Sequence, residues 1–400
     1  MAIIFNIDEA LSLSAFNVLQ EPIKMMLDNQ KEAFEKESLI SKVFAMHTLD
    51  AYQEEYRTRT SMGNYEPGYD MEPAKLSDFK EGYSKIWKST TWRNSFVISK
   101  QAVEDNQMMT ISTDAMGFVK SYGRTREIFA FGMLAGALTG SYTQGKFTFD
   151  CLGMDTKDGT LEGAKQLFFT KDHKPPVTTG RTETQSNKFH CHVDLTAPNA
   201  HLKILNIVGY VENQMINYTD YDGNPTPMTP TTLLVPNHYA FRNALLVGLK
   251  TQYTEVLGNN GLNMEFGKWT VLTTPYLNNL KGFSNADQAF IMIDPAANKE
   301  NLGAVFIDRV PLEVSSWFDQ PNEANVWKGR ARYSAGFGDF RPMAYVHCGA
   351  DEMDALYDTG AKTGGTYNAT NIPEADVAPA GLGVVVQNTT ANPVQTKTVT

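Results

Sequence analysis

The most regular hydrophobic pattern of the chain lies between Trp92 and Ser141. An alternating, aromatic-rich run opens the stretch, and an apolar stripe then follows to residue 138. The stripe recurs at spacings of three, four or seven: Ala115, Met116, Val119, Tyr122, Arg126, Phe129, Met133 and Leu134. This period predicts one helix over residues 112–138, with Ser112 and Thr113 as N-terminal caps. At a rise of about 1.5 Å per residue the helix is about 40 Å long, so other elements must lie along it.

The segment 50–95 has strand-like ends, a turn-rich middle and segregated charge. Residues 50–72 carry six acidic side chains against two arginines, whereas residues 73–95 carry five basic side chains against two acidic ones. A long hairpin of this kind has little apolar surface to bury against itself. Its oppositely charged legs favour docking onto another copy of the chain. The alternative is a mobile surface hairpin with balanced charge.

The remaining patterns predict an arm, an α/β unit and a tail. Residues 1–48 contain helical pieces whose apolar sets are too narrow to form a core. Residues 195–347 alternate helical and strand-like runs, and the tail is rich in Thr, Ala, Asn, Gly and Pro, a composition that needs a neighbour to hold it. Strands of the α/β unit are predicted at 232–235, 269–273, 288–293, 305–307 and 312–317.

Composition narrows the class of protein. The 400 residues are 42% hydrophobic and 20% charged, which is typical of a globular chain. Three cysteines are few and odd in number, which favours free thiols in a reducing compartment. The absence of an 18-residue apolar run predicts no membrane span. The net charge of −10 argues against a protein whose surface binds nucleic acid tightly. It is compatible with a protein that encloses nucleic acid without binding it.

Candidate chemistry is sparse. His190 and His192 share a face of a predicted strand, and His173 lies upstream, so three imidazoles are available for zinc. The paired-cysteine spacings of structural zinc sites are missing, and ordinary polar strand residues are the competing interpretation. The segment 220–224 resembles the start of a calcium loop, but its glycine falls too early, which indicates a polar turn. No nucleophile, phosphate-loop or dinucleotide motif is found, so we expect no enzyme activity, cofactor or metal.

Four segments, taken in order, carry a family resemblance. Asn94–Asp105 reads as a strand, a serine and a short helix ending in Glu-Asp before the long helix, and the others are Thr231–Pro236, Trp269–Tyr276 and Arg332–Met343. Their order and spacing over residues 1–348 resemble the major capsid proteins of tailed bacteriophages, which have the Hong Kong 97-type fold. No single motif is specific to that family.

The resemblance implies an α+β fold with a defined set of parts. These are an N-terminal arm (1–49), an extended loop lying over a neighbouring subunit (50–95), a peripheral domain with the long helix as its spine (96–199), an axial domain whose tip meets its copies at five-fold and six-fold axes (200–325), closing strands of the peripheral domain (326–348), and a tail held on a neighbouring subunit (349–400).

The resemblance also implies a function in the virion capsid. The chain is expected to assemble into pentamers and hexamers of an icosahedral or prolate shell around double-stranded DNA, without sequence-specific binding, in the bacterial host cytoplasm. Scaffold and portal proteins are expected partners. Inter-subunit contacts are expected at the extended loop and the axial tip: Tyr65, Glu66, Asp70, Lys75, Lys85, Lys88, Arg93, Asn259 and Asn260. Some relatives link an extended-loop lysine covalently to a distant asparagine, but this sequence gives no further sign of such a link.

Two other functions stay open at this point. An encapsulin-like nanocompartment shell would use the same fold around a protein cargo. A metal-dependent hydrolase would use His173, His190 and His192.

Overall fold

The computed structural model describes residues 25, 29, 32, 34–59, 65, 67, 70, 81–104, 108–153, 166–176, 179, 181–256, 259–263, 265–349, 362–363 and 366–367. Predictions for the start of the arm, for Glu66 and Lys75, and for most of the tail lie outside these residues. The helices are α1 (Ile40–Val43), α2 (Lys100–Glu104), α3 (Met108–Gly136), α4 (Ala200–Ile216), α5 (Tyr239–Lys250) and α6 (Pro295–Glu300).

The strands follow in chain order. They are β1 (Ala45–Thr48), β2 (Gln53–Arg59), β3 (Glu81–Lys88), β4 (Thr90–Ser99), β5 (Ser141–Gln144), β6 (Phe147–Asp150), β7 (Lys188–His190), β8 (Thr232–Pro236), β9 (Tyr253–Val256), β10 (Asn259–Leu262), β11 (Thr270–Thr274), β12 (Ala289–Ile293), β13 (Ala304–Asp319), β14 (Ala324–Phe337), β15 (Met343–His347), β16 (Lys362–Thr363) and β17 (Thr366–Tyr367).

The chain forms two compact units, each built from separated segments. The first unit comprises Met1–Glu55, Ile86–Phe131 and Val305–Gly336, and the second comprises Tyr56–Lys85, Gly132–Ala304 and Phe337–Thr400. The predicted borders at residues 199 and 325 between the peripheral and axial domains stay a prediction. Local periodicity identifies a strand but not the sheet that the strand joins.

The first unit contains a sheet with the order β1-β13-β14-β4. β1 runs parallel to β13, and β4 runs antiparallel to β14 over ten residue pairs. Ile98 and Trp327 of the sheet pack with Ala115, Phe118 and Val119 of α3 in one buried cluster. The long helix therefore covers one face of this sheet, as its apolar stripe predicts.

The long helix begins four residues earlier than predicted, at Met108, and ends at Gly136. Ser112 and Thr113 are consequently inside the helix and are not its caps, because methionine is a good helix former and extends the helix upstream. At the other end the N–H of Gly140 donates to the carbonyl of Gly136 at 2.7 Å, and Gly140 has a φ of +88°. A residue in this left-handed conformation is a common helix terminator.

β13 corrects a second prediction, since one strand of 16 residues replaces the two predicted at 305–307 and 312–317. Pro311 lies inside this strand and is exposed. β1 pairs with β13 only as far as Asp308, so beyond that point β13 has an open edge on the β1 side within the described chain. Proline is tolerated at such an edge because no ladder hydrogen bond is lost there.

The second unit contains a mixed sheet with the order β11-β8-β12-β15-β7. β8 and β12 are buried along their whole length, which fits their uninterrupted apolar sequences. Side chains of β8, β12 and β15 share one core with α4 and α5. The last strand of the predicted peripheral domain, β15, thus belongs to this sheet, where it lies between β12 and β7.

Smaller two-stranded sheets complete the described chain. β2 pairs with β3 at the two ends of the predicted extended loop, and β5 pairs with β6 directly after the long helix. β9 and β10 form a hairpin in the predicted axial domain. None of the described helices is long and apolar enough to cross a membrane.

Candidate assembly surfaces

The structure separates the predicted contact residues into three groups. Tyr65 and Asp70 are exposed in the connection between β2 and β3, and Lys88 and Arg93 are exposed on β3 and β4. Asn259 and Asn260 belong to β10, where their backbones pair with β9. Lys85 is the third case, because it is buried and paired within its own chain.

Lys85 is bound within its own chain. Its residue is buried, and its Nζ lies 2.6 Å from Oδ2 of Asp150 on β6. A buried ammonium needs a nearby carboxylate, because a charge without water or a partner is strongly unfavourable. Lys85 is therefore paired with Asp150 in its own chain, and its contact with another subunit stays a prediction. The sequence could not reveal this ion pair, because a lysine in a charged loop is expected to be exposed and its partner Asp150 is 65 residues further along the chain.

One face of the β13-β14-β4 sheet is exposed and basic, and we call it the basic face. In register, Arg330 lies opposite Arg93, Lys328 opposite Ser95, and Arg332 opposite Thr91. Alternate residues of a strand share a face, so these cations point the same way. Among them, Arg330 places Nη1 3.5 Å from Oε2 of Glu313 on β13. Arg332 is partly buried and its Nη2 donates to Ser89 Oγ at 3.3 Å. The cations nevertheless outnumber the acidic groups Glu313 and Asp319, so this face is positive in a chain of net charge −10.

An apolar row borders the basic face. Val97 lies opposite Val326 in the β4–β14 register, and Val97 is 58% exposed. Glu313 on β13 is the neighbour of Arg330 on β14. Trp317 lies four residues after Glu313, and Val326 lies four residues before Arg330. Because side chains alternate between faces with a period of two, Trp317 and Val326 are on the same face and in the same row. Trp317 is 46% exposed. Large apolar side chains in a row on an open sheet face are typical of a surface that another chain covers.

The basic face has a signal in the sequence. Residues 326–333 alternate apolar or small side chains with Lys328, Arg330 and Arg332. This alternation indicates a strand with one buried and one basic face. Trp317 carried no such signal, because a lone tryptophan is more often a core residue.

A buried ion pair holds the other face of this sheet against the long helix. Nη2 of Arg126 lies 2.7 Å from Oδ2 of Asp308, and the guanidinium stacks 4.9 Å from the ring centre of Phe306. The helix partner of the arm is Glu127, whose Oε1 accepts from Ser38 Oγ at 2.6 Å and from Leu39 N at 3.2 Å. Burial raises the pKa of Glu127 above the ordinary value. The basic face thus rests on a helix whose position is fixed by polar contacts.

The histidines of the hydrolase hypothesis are not gathered into a site. His173 is buried, stacks on Phe340 at 3.6 Å between ring centres, and has Nε2 2.9 Å from Oδ1 of Asn187. Burial lowers the pKa of His173 to about 3, so the ring is neutral at physiological pH. His190 pairs with His347 on the neighbouring strand. Within the described part of the chain, no three His, Cys, Asp or Glu side chains are placed to hold a metal ion.

The calcium-loop resemblance resolves into a turn. Oδ1 of Asp220 accepts from the backbone N–H groups of Asp222 and Asn224, each at 2.8 Å. Asp220 is thus engaged by its own backbone, as expected of a polar turn.

A comparison with protein families gives the identity of the fold. A family model described as "Phage capsid protein" matches residues 82–346, which is about two thirds of the chain. The chain belongs to this phage capsid protein family. The resemblance drawn from the sequence is therefore confirmed, as are the α+β fold class, the function as a phage capsid protein and the location in the virion capsid.

Solved capsid structures are similar to this capsid protein at low identity. The mature capsid of bacteriophage PhiM1 is 11% identical, covering 76% of this chain and 85% of that chain with a TM-score of 0.40. The capsid of cyanophage P-SCSP1u is 9% identical, covering 76% and 86% with a TM-score of 0.44. A virus-like particle from Pyrococcus furiosus is 9% identical, covering 82% and 99% with a TM-score of 0.43. No curated protein matches the capsid protein significantly.

Proposed function

We propose that this capsid protein assembles through its extended loop and basic face into pentamers and hexamers of a closed shell around phage double-stranded DNA. The observation that carries the proposal is a pair of segments of opposite charge on one chain. The acidic leg of the loop, residues 50–72, supplies six carboxylates against two arginines. On the basic face the cations outnumber the carboxylates, and the exposed row of Val97 and Trp317 lies beside them.

The two surfaces differ, so each contact between copies is heterologous. In each pair of copies, one copy still has an unoccupied loop and the other an unoccupied face, so further copies can be added. When each added copy is rotated by the same suitable angle, the last copy meets the first and a ring is formed. Rings of five and six then tile an icosahedral or prolate shell. The loop fits this role because Tyr52, just before β2, and Ile86, on β3, are large exposed side chains that another chain can cover.

The charge balance supports a wall that confines DNA without adsorbing it. Binding to duplex DNA depends on clustered lysine and arginine that release counterions from phosphates. In the proposed shell the basic face is occupied by a neighbouring loop, and the rest of the chain is strongly acidic. We further propose a separate scaffold protein to set the shell size and a portal at one vertex through which DNA enters.

Electron microscopy of the purified protein tests assembly directly. The chain expressed alone or with its scaffold is expected to give closed shells, tubes or rings with five-fold and six-fold clusters. A monodisperse monomer at high protein concentration and in every salt condition contradicts the proposal.

The contents of particles from infected cells separate DNA enclosure from the nanocompartment alternative. Nuclease-protected duplex DNA and a tail at one vertex are expected. Particles that hold a protein cargo and no DNA would instead assign the chain to a nanocompartment shell.

A further inference from the structure

The base of the extended loop packs on the rest of the second unit through one face of β3. Along this strand Tyr83 and Lys85 are buried, whereas Ile86 and Lys88 are exposed. Side chains of a strand alternate between its two faces, so Tyr83 and Lys85 point the same way. Each of these two residues is held by a different part of the second unit, and we call them the two anchors.

The first anchor, Tyr83, is held by both its hydroxyl and its ring. The hydroxyl donates to the carbonyl of Lys174 at 2.6 Å and accepts from Nε2 of Gln166 at 3.4 Å. The ring meets the ring of Tyr221 edge-on, with 5.7 Å between the ring centres. Tyr56 on β2 packs against the same two rings, so both strands of the loop base share this contact.

The ring that receives Tyr83 is itself fixed by Arg341. The guanidinium carbon of Arg341 lies 4.4 Å from the ring centre of Tyr221. Its Nε donates to the carbonyl of Thr219 at 2.9 Å, and its Nη1 lies 2.9 and 3.0 Å from the two carboxylate oxygens of Asp339. Arg341 and Asp339 are both buried, and a planar guanidinium with these partners is held in one orientation. Tyr83 therefore packs against a rigid part of the fold.

The second anchor is the ion pair of Lys85 with Asp150, with 2.6 Å between Nζ and Oδ2. Asp150 is the last residue of β6, and its Oδ1 accepts from the N–H of Leu152 at 3.0 Å, which orients the carboxylate. Lys85 lies two residues after Tyr83, so the anchors are about 7 Å apart along β3. Two fixed points define the direction of a strand, whereas one point would leave a pivot.

We propose that Tyr83 and Lys85 are positioning residues, which fix the direction of the extended loop within its own chain before the chain meets a second copy. The inference rests on the proposed function and deepens it. A loop that is already held in one direction loses less conformational freedom on binding, which strengthens the contact between copies without adding an atom to it. The protein concentration needed for assembly thus depends on hydrogen bonds inside one chain.

A matched pair of variants separates this role from general stability. Tyr83→Phe removes the hydroxyl that donates to Lys174 and keeps the ring. Tyr345→Phe is the control, because Tyr345 is buried on β15 and its hydroxyl donates to the carbonyl of Gly282 at the same distance, 2.6 Å. Both variants lose one buried hydrogen bond of the second unit, but only Tyr83→Phe loses it at the loop base.

Hydrogen exchange of the unassembled subunit measures how firmly the loop base is held. Tyr83→Phe is expected to speed exchange of the β2 and β3 amides about fivefold, the factor that corresponds to one net hydrogen bond. Asp150→Asn, which removes the partner of the second anchor, is expected to speed the same amides, whereas Tyr345→Phe is expected to leave them unchanged. Exchange of β2 and β3 that is unchanged by Tyr83→Phe or by Asp150→Asn, or that Tyr345→Phe speeds as much, overturns the inference.

Light scattering over a series of protein concentrations measures the effect on assembly. The concentration at which half of the protein is in shells is expected to rise at least about threefold for Tyr83→Phe and to stay at the wild-type value for Tyr345→Phe. Equal concentrations for the two variants overturn the inference. If wild-type protein forms no shells at any concentration, the proposed function is wrong, and hydrogen exchange still decides whether the two anchors hold the loop.

Discussion

At the scale of single residues, burial decides which charged groups matter to the folded chain. Glu127 and His173 both sit in the interior with one good hydrogen-bond partner or two, yet their pKa values move in opposite senses, upward for the acid and downward for the base. Both shifts favour the neutral form, because an interior of low dielectric constant disfavours charge. Each shift therefore predicts a pH dependence of stability with a definite sign.

For Glu127, stability is greatest where the carboxyl is protonated. A group whose folded pKa is raised contributes stability that is present below the ordinary pKa and is lost as pH rises through the raised value. The free energy of unfolding of wild type relative to Glu127→Gln is therefore expected to fall as the pH rises from about 4, the ordinary pKa of a glutamate, through the raised pKa. Urea unfolding of the unassembled subunit across this range measures it. Ser38→Ala, which removes a hydrogen bond that favours the carboxylate, should steepen the fall. A pH-independent difference between wild type and Glu127→Gln would show that Glu127 does not titrate as inferred.

For His173 the sign is reversed. Its folded pKa of about 3 lies below the ordinary 6.5, so its contribution is present above pH 6.5 and is lost as pH falls towards 3. Wild type is expected to lose stability on acidification relative to His173→Gln. His173→Phe keeps a ring stacked on Phe340 but loses the hydrogen bond to Asn187. Its stability should therefore depend on pH in the same way as that of His173→Gln, and it should be less stable than His173→Gln at every pH. If all three proteins lose stability in parallel, other groups are responsible.

At the scale of elements, the local hydrophobic period predicted individual helices and strands. It did not predict which strands, distant in sequence, pair in one sheet. The stripe from Ala115 to Leu134 predicted the long helix, and the apolar run at β8 predicted a buried strand. The helix start was misplaced because serine is only a weak start signal when good helix formers precede it. The allocation of β13 and β15 to different sheets was missed because it depends on pairing with β1 and β12, which no local pattern records. The commitment of Lys85 to Asp150 was missed for the same reason.

For the Lys85–Asp150 pair, we expect removal of the carboxylate and removal of the ammonium to change the free energy of unfolding by different amounts. Asp150→Asn leaves a buried ammonium without its carboxylate and is expected to destabilise the subunit by about 1–3 kcal/mol, less than for a fully buried pair because Asp150 is 59% exposed. Lys85→Met removes the charge and keeps the stem, so the double variant should recover part of the loss. Urea unfolding of the four proteins gives the coupling free energy.

The exposed Glu313–Arg330 pair is the matched control for this cycle. Its coupling is expected to stay below about 1 kcal/mol, because solvent screens an exposed ion pair. Equal couplings at the two sites would mean that burial of Lys85 adds nothing.

At the scale of the whole molecule, the chain keeps large side chains and charges on surfaces that it does not cover itself. The acidic loop leg and the basic face are separate in sequence and opposite in sign, and the basic face has an apolar row at its border. Charge complementarity sets the register and rate of an encounter more than its final strength, whereas buried apolar side chains supply most of the affinity. In the proposed contact the basic face therefore mainly selects where the loop binds, and Trp317 and Val97 supply the apolar contact.

This division of roles predicts a charge-swap result. Reversing the basic face with Arg93→Glu and Arg330→Glu, or reversing the loop with Glu66→Lys, Asp70→Lys and Glu72→Lys, is expected to lower the yield of sedimenting shells at low salt in each case. Combining both reversals in one chain should restore the yield, because every copy then presents a positive loop to a negative face. At 1 M salt, where the screening length is about 3 Å, the single reversals should have a smaller effect. Lys250→Glu with Lys299→Glu, on exposed helix ends of the second unit, controls for net charge. If the combined variant assembles no better than either reversal alone, the loop and the basic face are not partners, and another surface of the neighbouring copy must receive the loop.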